Sequence, residues 1–129
     1  MALANQEKHL LLSTGNKSEL AVGYCTLYGD MNGGLSVIGD LYKTNVFKLC
    51  NWLDSENSIN HRKLYKLDTN VIIGEKIRTK APSAELGPDQ LDTDSLPPYS
   101  ILDNILKGII EEKKDLQQLE DDGLSLIHI

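Results

Sequence analysis

Residues 9–39, HLLLSTGNKSELAVGYCTLYGDMNGGLSVIG, decide how this chain reads. The run His9 to Ser13 is short and almost wholly apolar, the pattern of a strand buried on both faces of a parallel sheet. Leucine is a middling strand former, so propensity leaves the assignment open and the following residues decide it. Thr14-Gly15-Asn16 is a polar turn, and Asn16 with Glu19 three positions later forms a capping-box pair that opens a helix. That helix is expected to run to about Cys25, with Leu20, Gly23, Tyr24 and Leu27 along one face. Gly29 to Gly34 reads as a loop, and Val37-Ile38 as a short extended piece. An apolar run, a turn and a helix start place polar side chains and backbone N–H groups at the mouth of an α/β sheet, where ligands bind.

Upstream, residues 1–8 read as the last turn of a helix with a polar exit, an expectation that Met1 is internal to a longer protein. Downstream, Asp40 or Thr44 is a candidate cap for a helix from about Lys43 to Leu53, where Val46, Leu49, Cys50 and Leu53 follow helical spacing. Asp54 to Asn60 is turn-like, and His61 to Asp68 carries a local cluster of positive charge. Asn70 to Ile77 is apolar around Gly74, and 78–86 is a loop stiffened by Pro82. Residues 87–98, with three prolines, form a long irregular segment of the kind that in compact domains is usually functional or disordered. Tyr99 to about Leu119 is the clearest helix, with Leu102, Ile105, Leu106 and Ile109 as its apolar stripe.

The whole chain has 129 residues, enough for at most one domain with a core of its own. Its net charge of −6 argues against non-specific attraction to nucleic acid or anionic lipid, while leaving room for a local basic pocket. Apolar runs are too short to span a membrane, and the N-terminus lacks the pattern of a signal peptide. The two cysteines, Cys25 and Cys50, sit at no metal-finger spacing and fit a reduced, cytoplasmic setting. The three histidines are scattered and make no case for a metal site.

Taken residue by residue, the bland readings come first. Glu19 is the far half of a capping box, Thr14 a turn residue, Lys43 a surface charge and Ser83 a turn serine after Pro82. Tyr24 and Tyr28, four apart, read as a packed pair, and Cys50 as core. A lone GDMNGG loop is not by itself a phosphate cradle.

Three segments taken together change that weighting: LLSTGNKSELAVGYCTLYGDMNGGLSVIGDLYKT (11–44), TKAPSAELGPDQ (79–90) and DTDSLPPYSILDNIL (92–106). In this order they closely resemble the synthetase domain of glutamine-dependent NAD+ synthetases. The likeness covers nearly all of residues 1–122, read as a fragment of that domain, and leaves residues 123–129 outside it. Gly74 and Gly87 stand where the family more often has proline and arginine.

The resemblance implies a partial Rossmann-like α/β fold of the adenine nucleotide alpha hydrolase type, a parallel sheet with flanking helices. It implies adenylation of deamido-NAD+ (nicotinic acid adenine dinucleotide) by ATP, with release of pyrophosphate. Ammonia from a glutamine amidase domain then displaces AMP, and the enzymes work as homo-oligomers. By position, Thr14, Lys43 and Ser83 fall at ATP contacts, and Tyr24, Leu27 and Asp30 at the deamido-NAD+ pocket. Glu19 falls at an acidic position for that substrate or for Mg2+, which one or two carboxylates completed by phosphate and water suffice to hold. The family's serine-and-glycine-rich phosphate loop, its amidase and its C-terminal basic segment are not found here, so Cys25 and Cys50 are not the amidase nucleophile. The chain is therefore expected to hold half a site and to be inactive alone. A partial nucleotide-binding or oligomerisation module is the alternative. A related amidoligase such as GMP synthetase is a further one, disfavoured by the YGDMNGG and KAPSAEL segments.

Overall fold

A computed structural model describes residues 1–67, 69 and 71–124. The expectations for Asp68, Asn70 and the end of the tail, 125–129, fall outside the described residues. The element order is α1 (Ala2–Gln6), β1 (Leu12–Ser13), α2 (Lys17–Val22), β2 (Leu35–Ser36), α3 (Lys43–Leu53), α4 (Ile59–Leu64), α5 (Glu75–Thr79), α6 (Tyr99–Ile110) and α7 (Leu116–Asp121). Short 3-10 turns lie at Glu56–Ser58 and Asp92–Asp94. β1 and β2 pair in parallel, Leu12 opposite Leu35 and Ser13 opposite Ser36, with α2 as the crossover between them. This βαβ unit is the building block of Rossmann-like α/β folds. Among the described residues no helix is long and apolar enough to cross a membrane.

The capping box forms as read: the Asn16 side chain accepts from the Glu19 N–H at 3.1 Å, and Glu19 accepts from the Asn16 N–H at 3.2 Å. The helix it opens is shorter than expected. Gly23 takes the left-handed conformation at φ 70° and closes α2 after Val22, so Tyr24 and Leu27 leave the helical face. β1 is also shorter, and it is not buried on both faces: Leu10 is 66% exposed and Leu12 48%. Among the described residues its one strand neighbour is β2, which lies at 35–36 rather than at Val37-Ile38. Gly33 is required where the loop returns to the sheet, because a Cβ there would run into the Ser13 nitrogen and the Leu12 carbonyl carbon.

α3 spans the expected residues but is capped from outside itself. The Ser18 hydroxyl of α2 accepts from the Lys43 N–H at 2.8 Å, and Asp103 of α6 accepts from the Thr44 N–H at 2.8 Å. Ser18 in turn donates to Asp103 at 2.5 Å, so one buried hydroxyl and one buried carboxylate lock three helices together. No residue of α3 is fully buried; Leu49 stays 37% exposed and Cys50 is half-buried, not core.

The long C-terminal helix is two helices. α6 stops at Ile110 and the chain turns through Lys113 at φ 56°. Asp115 then builds a second capping box with Gln118 and starts α7. Glu111 to Lys114 carry no apolar stripe to hold a continuing helix, whereas turning back buries Leu119 completely. Leu102, Ile105 and Leu106 are core as read; Ile109 is 42% exposed, outside it. Tyr42 and Tyr99 complete the packing around Leu102 and Leu106.

In the middle of the chain Asp54 organises a turn that looked merely polar. Its carboxylate accepts from the N–H groups of Ile72, Ile73 and Gly74 and meets the Arg78 guanidinium at 3.1 Å. Arg62, in the basic cluster, is buried and donates to the carbonyls of Ser55 and Thr69.

Candidate functional site

The turn after β1, the loop after α2 and the loop after α5 meet at a cavity of about 220 Å³. Thr14, Glu19, Tyr24, Asp30 and Ser83 line it, joined by Ala84 and Asp92. A neighbouring cavity of about 310 Å³ shares Tyr24, Asp30 and Ala84, and extends past Cys25 toward Leu86 and Gln90.

Each wall is fixed by local chemistry. Thr14 sits where β1 runs into the turn, and its N–H donates to the Asp30 carbonyl. Asp30 closes a small ring with Thr26, accepting from that residue's N–H at 2.7 Å and its hydroxyl at 2.8 Å. Burial pushes the Asp30 carboxyl up, but the Thr26 backbone and hydroxyl bonds outweigh it and hold the carboxyl below its ordinary value. Ser83 accepts from the Glu85 N–H, a short local turn that brings its hydroxyl to the cavity.

Glu19 does two jobs at once. One carboxylate oxygen completes the capping box and the other meets the Lys43 ammonium at 2.7 Å, with both side chains under one-fifth exposed. Lys43 also lies 5.3 Å from the centre of the Tyr99 ring, within cation–π range. Tyr99 donates its hydroxyl to Asp92 at 2.8 Å. Burial, then the nearby Asp92 carboxylate, pushes the Tyr99 hydroxyl far up, so it stays a donor. Burial and the same carboxylate raise Tyr24 too.

Of the residues singled out from the sequence, five line one cavity and Lys43 is bonded to one of those five. Leu27 is not brought in: it is 71% exposed, because Gly23 turned the chain away before it. Tyr28 is 91% exposed and does not pack as the partner of Tyr24. The N-terminus of α3 is not an open anion site, since its Lys43 and Thr44 N–H groups are taken by Ser18 and Asp103. Sequence reasoning missed Asp92, Tyr99, Ser18 and Asp103. The signal that pointed at Asp92 was the unusual length of the irregular segment around it, together with the DTDSLPPY stretch.

Among the described residues no group of three or more histidine, cysteine, aspartate or glutamate side chains is placed to hold a metal. The site offers carboxylates and hydroxyls, the donor set that suits a cation carried in with phosphate rather than one caged by protein alone.

The profile of the NAD synthase family matches residues 1–127. The glutamine-dependent NAD(+) synthetase of Synechocystis is 55% identical over 123 residues, 95% of this chain and 20% of that protein. The enzyme of the same name from Rhodobacter capsulatus is 48% identical over 92% of this chain and 21% of its own length. The chain thus spans about one fifth of these curated relatives. Among solved structures, an NMN synthetase from Francisella tularensis superposes with a TM-score of 0.65 at 30% identity, covering 83% of this chain and 38% of that one. A profile match across 1–127, with relatives of one name at this level of identity, means that the chain belongs to the NAD synthase family.

Proposed function

We propose that this chain forms one wall of the site at which a glutamine-dependent NAD+ synthetase joins ammonia to deamido-NAD+ at the expense of ATP. The observation that carries the reading is the convergence of Thr14, Glu19, Tyr24, Asp30 and Ser83 on a single cavity, with Lys43 ion-paired to Glu19. Four of these residues come from the contiguous stretch 14–30 that includes α2, and the loop after α5 brings Ser83 to them from far along the chain.

The division of labour follows from side-chain chemistry. Thr14 and Ser83 offer hydroxyls to phosphate oxygens or to metal-bound water. Lys43 supplies the mobile point charge that a polyphosphate needs in an otherwise acidic chain. Glu19 would hold Mg2+ together with the phosphates; both its oxygens already have donors, so the ion's arrival means giving up the bond from Lys43 or from Asn16. Bound Mg2+ would neutralise charge on the departing pyrophosphate. The reaction is then one of positioning: the substrate carboxylate attacks the α-phosphorus of ATP, pyrophosphate leaves, and ammonia displaces AMP from the acyl adenylate. Leu27, exposed and outside the cavity, has no part in this reading as the chain stands.

The reading is tested on the chain itself by amide NMR titration with MgATP, deamido-NAD+ and xanthosine monophosphate. Shifts centred on Thr14, Glu19, Asp30 and Ser83 are expected with the first two ligands and not with the third. A response to xanthosine monophosphate equal to that with deamido-NAD+, or no response to either dinucleotide or ATP at millimolar concentration, overturns it.

A further inference from the structure

Three consecutive residues of α2 reach the segment 41–43 that leads into α3. The Lys17 N–H donates to the Leu41 carbonyl at 2.9 Å. The Ser18 hydroxyl accepts from the Lys43 N–H at 2.8 Å, and one Glu19 oxygen accepts from the Lys43 ammonium at 2.7 Å. Lys43 is thus held twice, at its backbone by Ser18 and at the end of its side chain by Glu19. α6 holds the same place from another side. Asp103 accepts from the Thr44 N–H at 2.8 Å and from the Ser18 hydroxyl at 2.5 Å. Tyr99, one helical turn before Asp103 on α6, puts its ring 5.3 Å from the Lys43 ammonium.

A helix start needs a cap, and the simplest cap is local: a serine, aspartate or asparagine just before the first turn. α3 has Tyr42 there, a core residue with no capping side-chain bond. Its first two N–H groups take their acceptors from other helices instead. Such a cap from outside satisfies the same donors as a local one. What it adds is a relation in space, because the start of α3 is satisfied only where α2 and α6 present those acceptors. Ser18 suits that role narrowly. It is wholly buried, and its hydroxyl accepts from Lys43 while donating to Asp103. Alanine offers neither bond, and a longer polar side chain has no room at a site with 0% exposure.

We infer that Ser18 is a positioning residue for the proposed site: held by Asp103, it fixes the Lys43 backbone relative to Glu19 and so places the ammonium that meets the phosphates. The consequence for binding rests on the nucleotide reading above; the placing of Lys43 rests on the helix geometry alone. Neither Ser18 nor Asp103 lines the 220 Å³ cavity, so both act through Lys43. Lysine's long flexible stem imposes no geometry of its own, and the reach of the ammonium follows from where its backbone is fixed. With the backbone pinned by Ser18, giving up Glu19 for a phosphate requires only that the Lys43 side chain swing.

The test reads the pair first without ligand and then with it. The chain is prepared as wild type, Ser18→Ala, Lys43→Gln and the double variant, with Asp103→Asn as a second disruption, each checked for native fold by circular dichroism. Without ligand, the Lys43 ammonium signal in heteronuclear NMR reports whether the bond to Glu19 persists. It is expected in wild type and expected to broaden away in Ser18→Ala and Asp103→Asn, as in a Glu19→Gln control. With MgATP, followed at the Thr14 and Ser83 amides, Lys43→Gln is expected to bind about tenfold to a hundredfold more weakly than wild type, which corresponds to loss of a hydrogen bond to a charged group. Ser18→Ala, which keeps the lysine but not its placing, is expected to bind about threefold to tenfold more weakly. It is expected to add nothing to Lys43→Gln, because it acts only through that residue. An ammonium signal absent from wild type, or kept in both Ser18→Ala and Asp103→Asn, overturns the inference while the nucleotide reading stands. So does a Ser18→Ala affinity within about twofold of wild type, a Lys43→Gln chain that binds like wild type, or an equal loss from Ser18→Ala in the Lys43→Gln background. If wild type does not bind MgATP, the functional reading falls and the ammonium signal alone decides the placing of Lys43. Failure of both Ser18→Ala and Asp103→Asn to fold overturns the inference as well, since the contact is then a requirement of the whole fold rather than the setting of one side chain.

Discussion

Replacing Asp103 by alanine tests the joint that holds α2, α3 and α6 together. The change removes the acceptor of two donors, the buried Ser18 hydroxyl at 2.5 Å and the half-buried Thr44 N–H at 2.8 Å. Loss of a helix N-cap acceptor costs about 1 kcal/mol, and loss of a hydrogen bond to a charged group about 1.5–3 kcal/mol. Ser18 can rotate its proton elsewhere while it goes on accepting from Lys43, which trims the second figure. The net expectation is a loss of about 2–3 kcal/mol, a sizeable share of the roughly 5–15 kcal/mol of a typical domain. Urea denaturation followed by circular dichroism reads this as a lower midpoint at unchanged slope. A double-mutant cycle with Ser18→Ala isolates the coupling, expected at about 1–2 kcal/mol because the two side chains touch. If Asp103→Ala shifts stability by less than about 0.5 kcal/mol, or the cycle shows no coupling, the trans-capping account is wrong.

Asp54 gives a pH signature. The Ile73 N–H, with help from those of Ile72 and Gly74 and from Arg78, holds its carboxyl at about 2, below the ordinary aspartate value of about 3.9. A depressed carboxyl stabilises the fold above its unfolded pKa and loses that contribution as pH falls through its folded one. Acid titration should therefore show stability draining between about pH 4 and pH 2, and Asp54→Asn should flatten that limb. Gly23→Ala meets no atom within 4 Å and so pays only for its φ of 70°, about 1–2 kcal/mol in a thermal melt. Gly33→Ala, facing the backbone of β1, should lie toward the upper end of the roughly 1–3 kcal/mol range for overpacking and shift the amide resonances of Leu12 and Ser13. Tyr99→Phe removes the hydroxyl that donates to Asp92 Oδ2, and calorimetric unfolding should show a loss of about 1–3 kcal/mol.

What could be read from the sequence was local. The Asn16–Glu19 capping box, the bounds of α3 and the Leu102–Leu106 stripe all follow from residues three to seven apart, where helix geometry alone sets the neighbours. What could not be read is set by partners distant in the chain. α3 has no side-chain cap of its own at Tyr42 because Ser18 and Asp103 supply it. The apolar His9 to Ser13 run signals burial, but burial depends on what covers a strand, and β1 has one neighbour among the described residues. The end of α6 was missed because Glu111 to Lys114 are good helix formers, outweighed by the gain from burying Leu119. At the site, the resemblance named five of the cavity's residues, while Asp92 is brought there by the Tyr99 hydroxyl and by the tie of its N–H to the Pro82 carbonyl, contacts that no sequence displays.

If the cavity binds MgATP as proposed, the Lys43–Glu19 pair turns that binding into an exchange of partners. At 2.7 Å and mostly buried, neither ion is free to greet a ligand. An anion that claims Lys43 frees an oxygen of Glu19, and a cation that claims Glu19 frees Lys43. Each arrival therefore prepares the place of the other, and by reciprocity the two affinities rise together. On the proposed function, a polyphosphate and its divalent cation, delivered as one complex, would replace both halves of the ion pair in a single step and leave no charge stranded. A bare polyphosphate or a bare cation would leave one, and the site would select against both.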